Sequence, residues 1–353
     1  MEQFIGCDAH KKFSVFVAVN EKGHAGEALR VAHDRQLYRE FLGRLPPQSS
    51  IAVEASGSYS RLVDEMERSG HRPKLCNPLE AKRRIGPTKK TDTLDARGLA
   101  ILLRNGTLPE VWIPPSKLRD QRELLRCRIF LVRLRTRVKN RIHATLARYN
   151  VQIAGADLFG VAARQQLGVR LTELPEHSRA SIEQELATLD FLETQVKSAE
   201  KRLETIMQVS VEADLLKTLP CVGKILSMVL MLEIGRVDRF PTAAHLASYA
   251  GLVPRVHSSG GHTRMGQVCG NVNRNLKWAF VETGNLIVIN QRGLAGTHVV
   301  RLYQRIKRGK NHQKAVVAVA RHLAEAAWWV LTRQEVYREP HGLRQQALSS
   351  TQG

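Results

Sequence analysis

No stretch of this 353-residue chain stays apolar for the roughly 18 to 20 residues that a helical membrane span requires. Cysteine is scarce: Cys7, Cys76, Cys127, Cys221 and Cys269 make an odd number, and no two form a Cys-x-x-Cys pair. That usage argues against a zinc site and for a reducing cytoplasm. The opening Met1-Glu2-Gln3 lacks the basic-then-apolar shape of a secretory signal. Acidic charge is also short, with 33 Asp and Glu against 54 Lys and Arg, a formal net charge of +21. A pI near 10.2 favours a polyanionic partner, nucleic acid first. A ribosomal or merely basic protein is the plainer alternative.

The length suggests two or three domains with real hydrophobic cores. The charge is uneven along it. Residues 1–110 carry 18 basic and 14 acidic side chains, whereas residues 111–148 carry 11 and 2. Residues 171–214 invert the balance with 4 and 10, and residues 215–353 carry 19 and 6. The positive charge therefore concentrates in one long helical stretch and in the C-terminal region.

Strand and helix signals alternate in the first segment. Phe4–Cys7 and Phe13–Val19 read as paired strands, followed by a helix over 34–45 and a strand at Ile51–Val53. A helix near Tyr59–Arg68, a strand at Lys74–Cys76 and a helix over Thr91–Arg104 complete an α/β layout with a mixed sheet. Trp112-Ile113-Pro114-Pro115 is the expected boundary, because consecutive prolines stop helix and strand alike. Ser116 is then the expected N-cap of a basic helix reaching Tyr149. A second long helix is expected over 181–208. There Ile182, Leu189, Val196 and Leu203 repeat every seven residues, as do Leu192, Ala199 and Ile206. The repeat fits an intramolecular hairpin or a coiled-coil dimerisation arm, and its acids could neutralise the basic helix.

Four acids carry the chemistry. Asp8 ends the apolar run Phe4-Ile5-Gly6-Cys7, and Glu54 ends Ile51-Ala52-Val53. Asp92 and Asp95 stand three apart at a helix start and so share a face. Carboxylates so gathered repel unless cations sit between them, and hard oxygen ligands suit Mg²⁺, with Mn²⁺ as an alternative. Scattered surface acids and a helix-capping Asp92 are the plainer reading. In a chain this basic, the metal site points to phosphodiester cleavage.

The C-terminal region opens with Leu219-Pro220-Cys221-Val222-Gly223-Lys224. This tight turn before an apolar helix is similar to a helix-hairpin-helix element that offers N–H groups to a phosphate. Next comes a glycine-rich loop, Gly251 to Arg264, holding Ser258 and Ser259 between His257, Arg255 and Arg264. A serine hydroxyl needs a base, a metal or flanking cations to attack phosphorus, and a linker turn is the plainer reading. Trp328 and Trp329 read as core. Candidate nucleic-acid contacts are Lys11, Lys89, Lys90, Arg126, Arg133, Arg137, Arg141, Lys224, Arg255, Arg264, Arg274 and Lys277.

Three stretches of the first segment, Ile5–Lys11, Val53–Tyr59 and Lys89–Ala96, carry a resemblance. With Leu219–Gly223 and the loop from Tyr249 to Gly261, they resemble the DEDD-type transposases of bacterial insertion sequences. That family includes Piv-like DNA invertases and bridge-RNA-guided recombinases. The resemblance implies a RuvC-like, RNase H-type fold over 1–110, a helical coiled-coil and dimerisation region over 111–212, and a mainly helical transposase domain over 213–340. Residues 341–353 read as a disordered tail.

It further implies that Asp8, Glu54, Asp92 and Asp95 bind Mg²⁺. Ser259, the serine before Gly260-Gly261, would form a phosphoserine link to DNA, with adjacent Ser258 the other candidate. The implied partners are donor and target duplex DNA, a structured non-coding guide RNA that selects sequence by base pairing, and a homodimer or homotetramer. The implied place is a bacterial cytoplasm, at the nucleoid. The expected activity is Mg-dependent strand transfer that excises and inserts a mobile element, through acids from residues 1–105 and Ser259 of the same or another subunit. A RuvC-like junction endonuclease using water, a site-specific invertase and a non-catalytic nucleic-acid scaffold are the alternatives.

Overall fold

The computed structural model describes residues 3–57, 59–86, 91–153, 158–208, 210–259, 262–268 and 272–340, except the side chains of 255–259, 262–265 and 267–268. The expectations for Lys89, Lys90 and the tail 341–353 lie outside the described residues. The chain divides into two compact units, Met1–Arg119 and Asp120–Gly353.

In the first unit the elements run β1 (Gln3–Ala9), β2 (Phe13–Asn20), β3 (Leu29–Ala32), α1 (Arg35–Arg44), β4 (Ser50–Glu54), α2 (Tyr59–Arg68), β5 (Arg72–Cys76), α3 (Pro78–Ile85) and α4 (Asp92–Arg104). The five strands form one sheet in the order β3-β2-β1-β4-β5. β1 pairs antiparallel with β2 and parallel with β4, so the sheet is mixed, as the alternating signals led one to expect.

Successive strand residues face opposite sides of the sheet, and that alternation sorts this unit. Ile5, Cys7, Ile51 and Val53 face one side, where Tyr38 and Leu42 of α1 and Leu62 and Met66 of α2 cover them. Gly6, Asp8, Ala52 and Glu54 have the other parity. On that side Ala52 packs with Leu99 and Leu102 of α4, and Val15 and Val17 with Ala96 and Ala100. β1 and β4 are buried on both faces through their middle residues, which is why they read as unbroken apolar runs.

Two elements of this unit escaped the sequence reading. β3 is a short edge strand, Leu-Arg-Val-Ala, with three of four residues exposed. α3 has the cap Asn77, which accepts from Glu80 N at 3.2 Å, and Pro78 in its first turn, but only Ala81 is buried. Neither presents the apolar periodicity that marks a longer element.

In the second unit α5 (Ser116–Arg148) starts just before the unit boundary. α6 (Val161–Arg170), α7 (Glu176–Met207), α8 (Val211–Lys217), α9 (Lys224–Ile234) and α10 (Ala243–Tyr249) follow. Then come β6 (Pro254–Ser259), β7 (His262–Val268), α11 (Arg274–Ile289), α12 (His298–Gly309) and α13 (His312–Arg333). Ser116 is the first helical residue of α5 rather than its cap, and the Pro115 carbonyl accepts from Arg119 N at 3.0 Å. α7 likewise starts at Glu176, five residues before the expected Ser181, with the Pro175 carbonyl accepting from Arg179 N. Proline is favoured at helix starts because its missing N–H is not needed there.

α5 and α7 run antiparallel, joined by ion pairs of Arg128 with Glu200, Lys139 with Glu193 and Arg141 with Glu185. Ile182, Leu189, Leu192, Val196, Ala199 and Leu203 of the heptad stripe are buried within the one chain.

The close approach of α4 to β1 depends on Gly6. A Cβ there would lie 1.9 Å from the Ala96 carbonyl oxygen and 2.7 Å from Ala100 N, so backbone would have to move. Gly6→Ala is expected to cost about 1–3 kcal/mol, read as a lowered urea midpoint, at the upper end because the obstruction is main chain. Gly43→Ala, with nothing within 4 Å, is the control and should be neutral or slightly stabilising in its helix. Equal effects at both positions would contradict this packing.

Candidate active site

The β1–β4 pairing ends with Cys7 opposite Val53, so Asp8 and Glu54 stand side by side one step further along two central strands. α4 lies across this face of the sheet and points its N-terminus at them. Its cap is Thr91, whose hydroxyl accepts from Leu94 N at 3.3 Å, leaving Asp92 and Asp95 in the first turn. The positive end of the helix dipole favours acids there. The four acids expected to act together are thus gathered by one strand pair and one helix end.

Their electrostatics show the strain of that gathering. Asp8, with 13% of its side chain exposed, has its carboxyl raised above the ordinary range by burial. His10 pulls it back, and Asp92 and Asp95 push it up again. Glu54 is raised by burial, then by Asp8 and Asp95, with His10 and Lys82 opposing. For Asp8 and Glu54, then, burial comes first and the neighbouring carboxylates add to it, as expected of acids sharing one site.

His10 was quoted in the sequence but not read as a site residue. It occupies the turn joining β1 to β2, where its backbone N–H donates to the Phe13 carbonyl at 2.9 Å and its ring packs on that of Phe13. Its Nε2 lies 3.1 Å from Asp8 Oδ2 and 3.1 Å from Asp92 Oδ2. That nitrogen is shielded from solvent and aligned for a hydrogen bond with neither. Ligand atoms of Asp8, His10 and Asp92 all lie within 4.8 Å of one another. An orphaned nitrogen between two carboxylates fits a divalent ion bound among these residues. The signal available in sequence was the spacing Asp8-x-His10 where β1 gives way to the turn, two residues past the strand-end acid.

The basic residues fare differently from one another. Lys11 is exposed in the turn beside His10. Arg133 and Arg137 are exposed on α5 and have no acidic partner among the described residues. Arg126, by contrast, holds the fully buried carboxylate of Glu233 through Nε and Nη2, each at 3.1 Å, and Arg141 pairs with Glu185. Burial favours a protonated Glu233, but Arg126, Asn273 and Asn275 outweigh it and hold the carboxyl below its ordinary range. Lys224, at the start of α9, pairs with Glu204 at 2.5 Å. For these three cations the structure corrects the expectation of free phosphate contacts, because each already has a carboxylate partner.

Ser258, Ser259, Arg255 and Arg264 lie on the β6–β7 ribbon, with Ser259 opposite His262 and Ser258 opposite Thr263; their side chains lie outside the described residues. The ribbon's base is closed by Asn273 N donating to the Tyr249 carbonyl at 3.0 Å. Arg274 is exposed and Lys277 half-buried at the start of α11.

A cationic surface outside the expected set lies on α12. Val299, Val300 and Tyr303 bury its inner side, while Arg301, Arg305, Lys307 and Arg308 are exposed. Lys310 and Lys314 extend this ridge, and none of the six has an acidic partner among the described residues. No helix among the described residues is long and apolar enough to cross a membrane.

Comparison with known proteins matches residues 5–151 to the DEDD transposase domain of IS110 elements. Residues 213–299 match the transposase domain described as the IS116/IS110/IS902 family. A Pseudomonas aeruginosa chain described as a "Probable family 20 transposase" is 26% identical, over 95% of this chain and 98% of its own. The transposase for insertion sequence element IS1328 of Yersinia enterocolitica is 24% identical, over 94% and 98%. The pilin gene-inverting protein of Moraxella lacunata is 24% identical, over 81% of each chain.

Because Asp8 and Glu54 have raised folded-state pKa values, each is a penalty once ionised. That penalty is absent below their ordinary ionisation range, grows as pH climbs through it to the raised values, and persists above. Glu54→Gln is therefore expected to raise the urea midpoint of metal-free protein at neutral pH, with the gain vanishing in acid. An unchanged neutral midpoint would show that the acids do not strain the fold.

Proposed function

The chain belongs to the IS116/IS110/IS902 family of transposases, and from that premise we propose that it cuts and rejoins DNA strands to excise and insert a mobile element. The observation that carries the reading is the convergence of Asp8, Glu54, Asp92 and Asp95 at one end of the sheet, within the region matching the DEDD domain. The strand order, with one antiparallel arm and one parallel arm, is consistent with a RuvC-like, RNase H-type fold. In this reading residues 111–212 form the helical arm and residues 213–340 the transposase domain.

Asp8, Glu54, Asp92 and Asp95, with His10 among them, would hold the divalent ions. Bound there, such ions supply charge neutralisation at the scissile phosphate and ease ionisation of an attacking hydroxyl. The rest falls to the chain. Ser259 Oγ attacks phosphorus and the bond to the leaving strand oxygen breaks. That oxygen takes up a proton, and the chain stays joined to the DNA as a phosphoserine diester. A strand hydroxyl then attacks the same phosphorus and expels the serine. Because the diester is exchanged rather than hydrolysed, its energy is kept for rejoining. Ser258 is the other candidate nucleophile. The likeness to a pilin gene-inverting protein favours site-specific inversion as a second outcome of the same chemistry. In this reading a structured RNA of the element pairs with donor and target DNA, and the working form is at least a dimer, since two duplexes exchange strands.

Trapping on a denaturing gel tests the reaction, using purified protein, Mg²⁺, the co-purifying RNA and labelled DNA carrying the element's ends. Wild type should give a covalent protein–DNA adduct that both Ser259→Ala and Asp8→Ala lose. Free cleaved ends without an adduct, unaffected by Ser259→Ala, would identify a nuclease that uses water.

The α12 ridge gives this reading a DNA-facing surface. Cations without a carboxylate partner bind phosphates by releasing counterions, so affinity falls with salt in proportion to the contacts made. Replacing Arg301, Arg305 and Arg308 together by Gln should reduce the slope of log affinity for duplex DNA against log salt by about one per contact, about three in all. The same triple change at Arg126, Arg128 and Arg141 should leave the slope nearly unaltered. The opposite ranking would place the DNA on α5 instead.

A further inference from the structure

We propose that His10 is itself a metal ligand, so that the acidic cluster takes its ion through an imidazole nitrogen as well as carboxylate oxygens and binds Mn²⁺ in preference to Mg²⁺. The inference rests on the reading of the cluster as a metal-dependent site and adds what kind of ion it is built for.

Nε2 of His10 stands equally far, 3.1 Å, from one oxygen of Asp8 and one of Asp92. A single ring N–H can serve one acceptor well, yet this nitrogen is aligned with neither and is sealed from water. A cation shared by nitrogen and both oxygens resolves the conflict, and the three donor atoms lie within 4.8 Å of one another. The ring is held in place beforehand. The His10 N–H to Phe13 carbonyl bond fixes the turn, and the Phe13 ring supports the imidazole at 4.7 Å between centroids. The two carboxylates ride on a central strand and on the first turn of α4, so the donors come from rigid elements.

The donor set then decides among ions. Mg²⁺ demands near-octahedral oxygen coordination and gives up water reluctantly, so imidazole is a poor ligand for it. Mn²⁺ accepts carboxylate and imidazole together and stands above Mg²⁺ in affinity for nitrogen-bearing sites. With side-chain exposures of 38% for His10 and 47% for Asp92, the cluster opens to solvent on that side, leaving room for a phosphate to approach. The other way to satisfy the same geometry is an imidazolium that pairs with both carboxylates and never joins the coordination sphere. The two differ in one observable, a nitrogen bonded to the metal.

The full-length, metal-free protein is titrated calorimetrically with Mn²⁺ and separately with Mg²⁺, and the Mn²⁺-loaded protein is examined by pulsed electron paramagnetic resonance for nitrogen hyperfine coupling. Wild type should bind Mn²⁺ more tightly and show the coupling. His10→Gln, which keeps a polar side chain of similar reach, should lose the coupling and about tenfold or more in Mn²⁺ affinity, with Mg²⁺ affinity nearly unchanged. Mn²⁺ bound by wild type without nitrogen coupling, or with a coupling that survives in His10→Gln, would overturn the role of His10 and leave the metal site standing. If wild type bound neither ion, or if Asp8→Ala bound both as wild type does, the metal-site reading itself would fall.

Discussion

Carboxylates held a few ångströms apart in a half-buried cleft repel one another, and here that repulsion has to be overcome by packing. Asp8 and Glu54 are delivered by strands whose neighbouring residues are buried to the last atom, and Asp92 and Asp95 by a helix that presses on the same strands. The pressing works because Gly6 and Ala52 are small: the Ala96 carbonyl and the α4 backbone occupy the space a larger residue at 6 would claim. The apolar core on both faces of the sheet holds the acids where their charges make them unwelcome. Burial first, and the neighbouring acids second, raise the Asp8 and Glu54 pKa values. A fold that stores such repulsion is stabilised by whatever cation relieves it, which couples stability to the chemistry of a strand-transfer enzyme.

Positive charge in the second unit is divided between structure and surface. Glu233, fully buried at the end of α9, accepts from Arg126, from Asn273 Nδ2 at 2.8 Å and from Asn275 Nδ2 at 3.0 Å, while Arg122 donates to the carbonyls of Leu232 and Glu233. Asn273 also caps α11 through Leu276 N, donates to the Tyr249 hydroxyl, and closes the base of the β6–β7 ribbon. Gly251, at φ +68° with its missing Cβ pointed at Val272, completes that closure. One buried acid therefore ties α5, α9 and α11 to the ribbon that carries Ser259. Losing Arg126 would leave the carboxylate of Glu233 buried without its cation, which is why this half-exposed arginine belongs to the architecture rather than to a nucleic acid. No α12 cation holds a buried acid among the described residues.

Much of this was legible in residue order. The central strands, the α4 start and the two long helices follow from apolar runs ending at Asp8 and Glu54, from Asp92 and Asp95 three apart at a helix start, and from seven-residue repeats along α7. What stayed hidden has physical causes. β3 is an edge strand whose exposed residues need no pattern, and α3 buries a single alanine, so neither leaves a periodic trace. Pro115 and Pro175 shifted two helix starts because each proline carbonyl can accept the first helical N–H of a following turn. Arg126 and Arg133 look alike in sequence, since both are arginines of one basic helix, and only the position of Glu233 separates them.

The sequence by itself determined the chemistry on offer: an excess of cations, and four acids at the ends of apolar runs or at a helix start. Those are local facts, set by a two-residue strand period and a helical turn. The tertiary structure alone decided which charges meet. It brought His10 from a turn to within 3.1 Å of two acids far apart in sequence, and it spent Arg126 and Arg141 on carboxylates while leaving α12 open. Electrostatic interaction falls with distance in space and is blind to distance along the chain, so a residue's charge can be read from its letter, but its partner only from the fold.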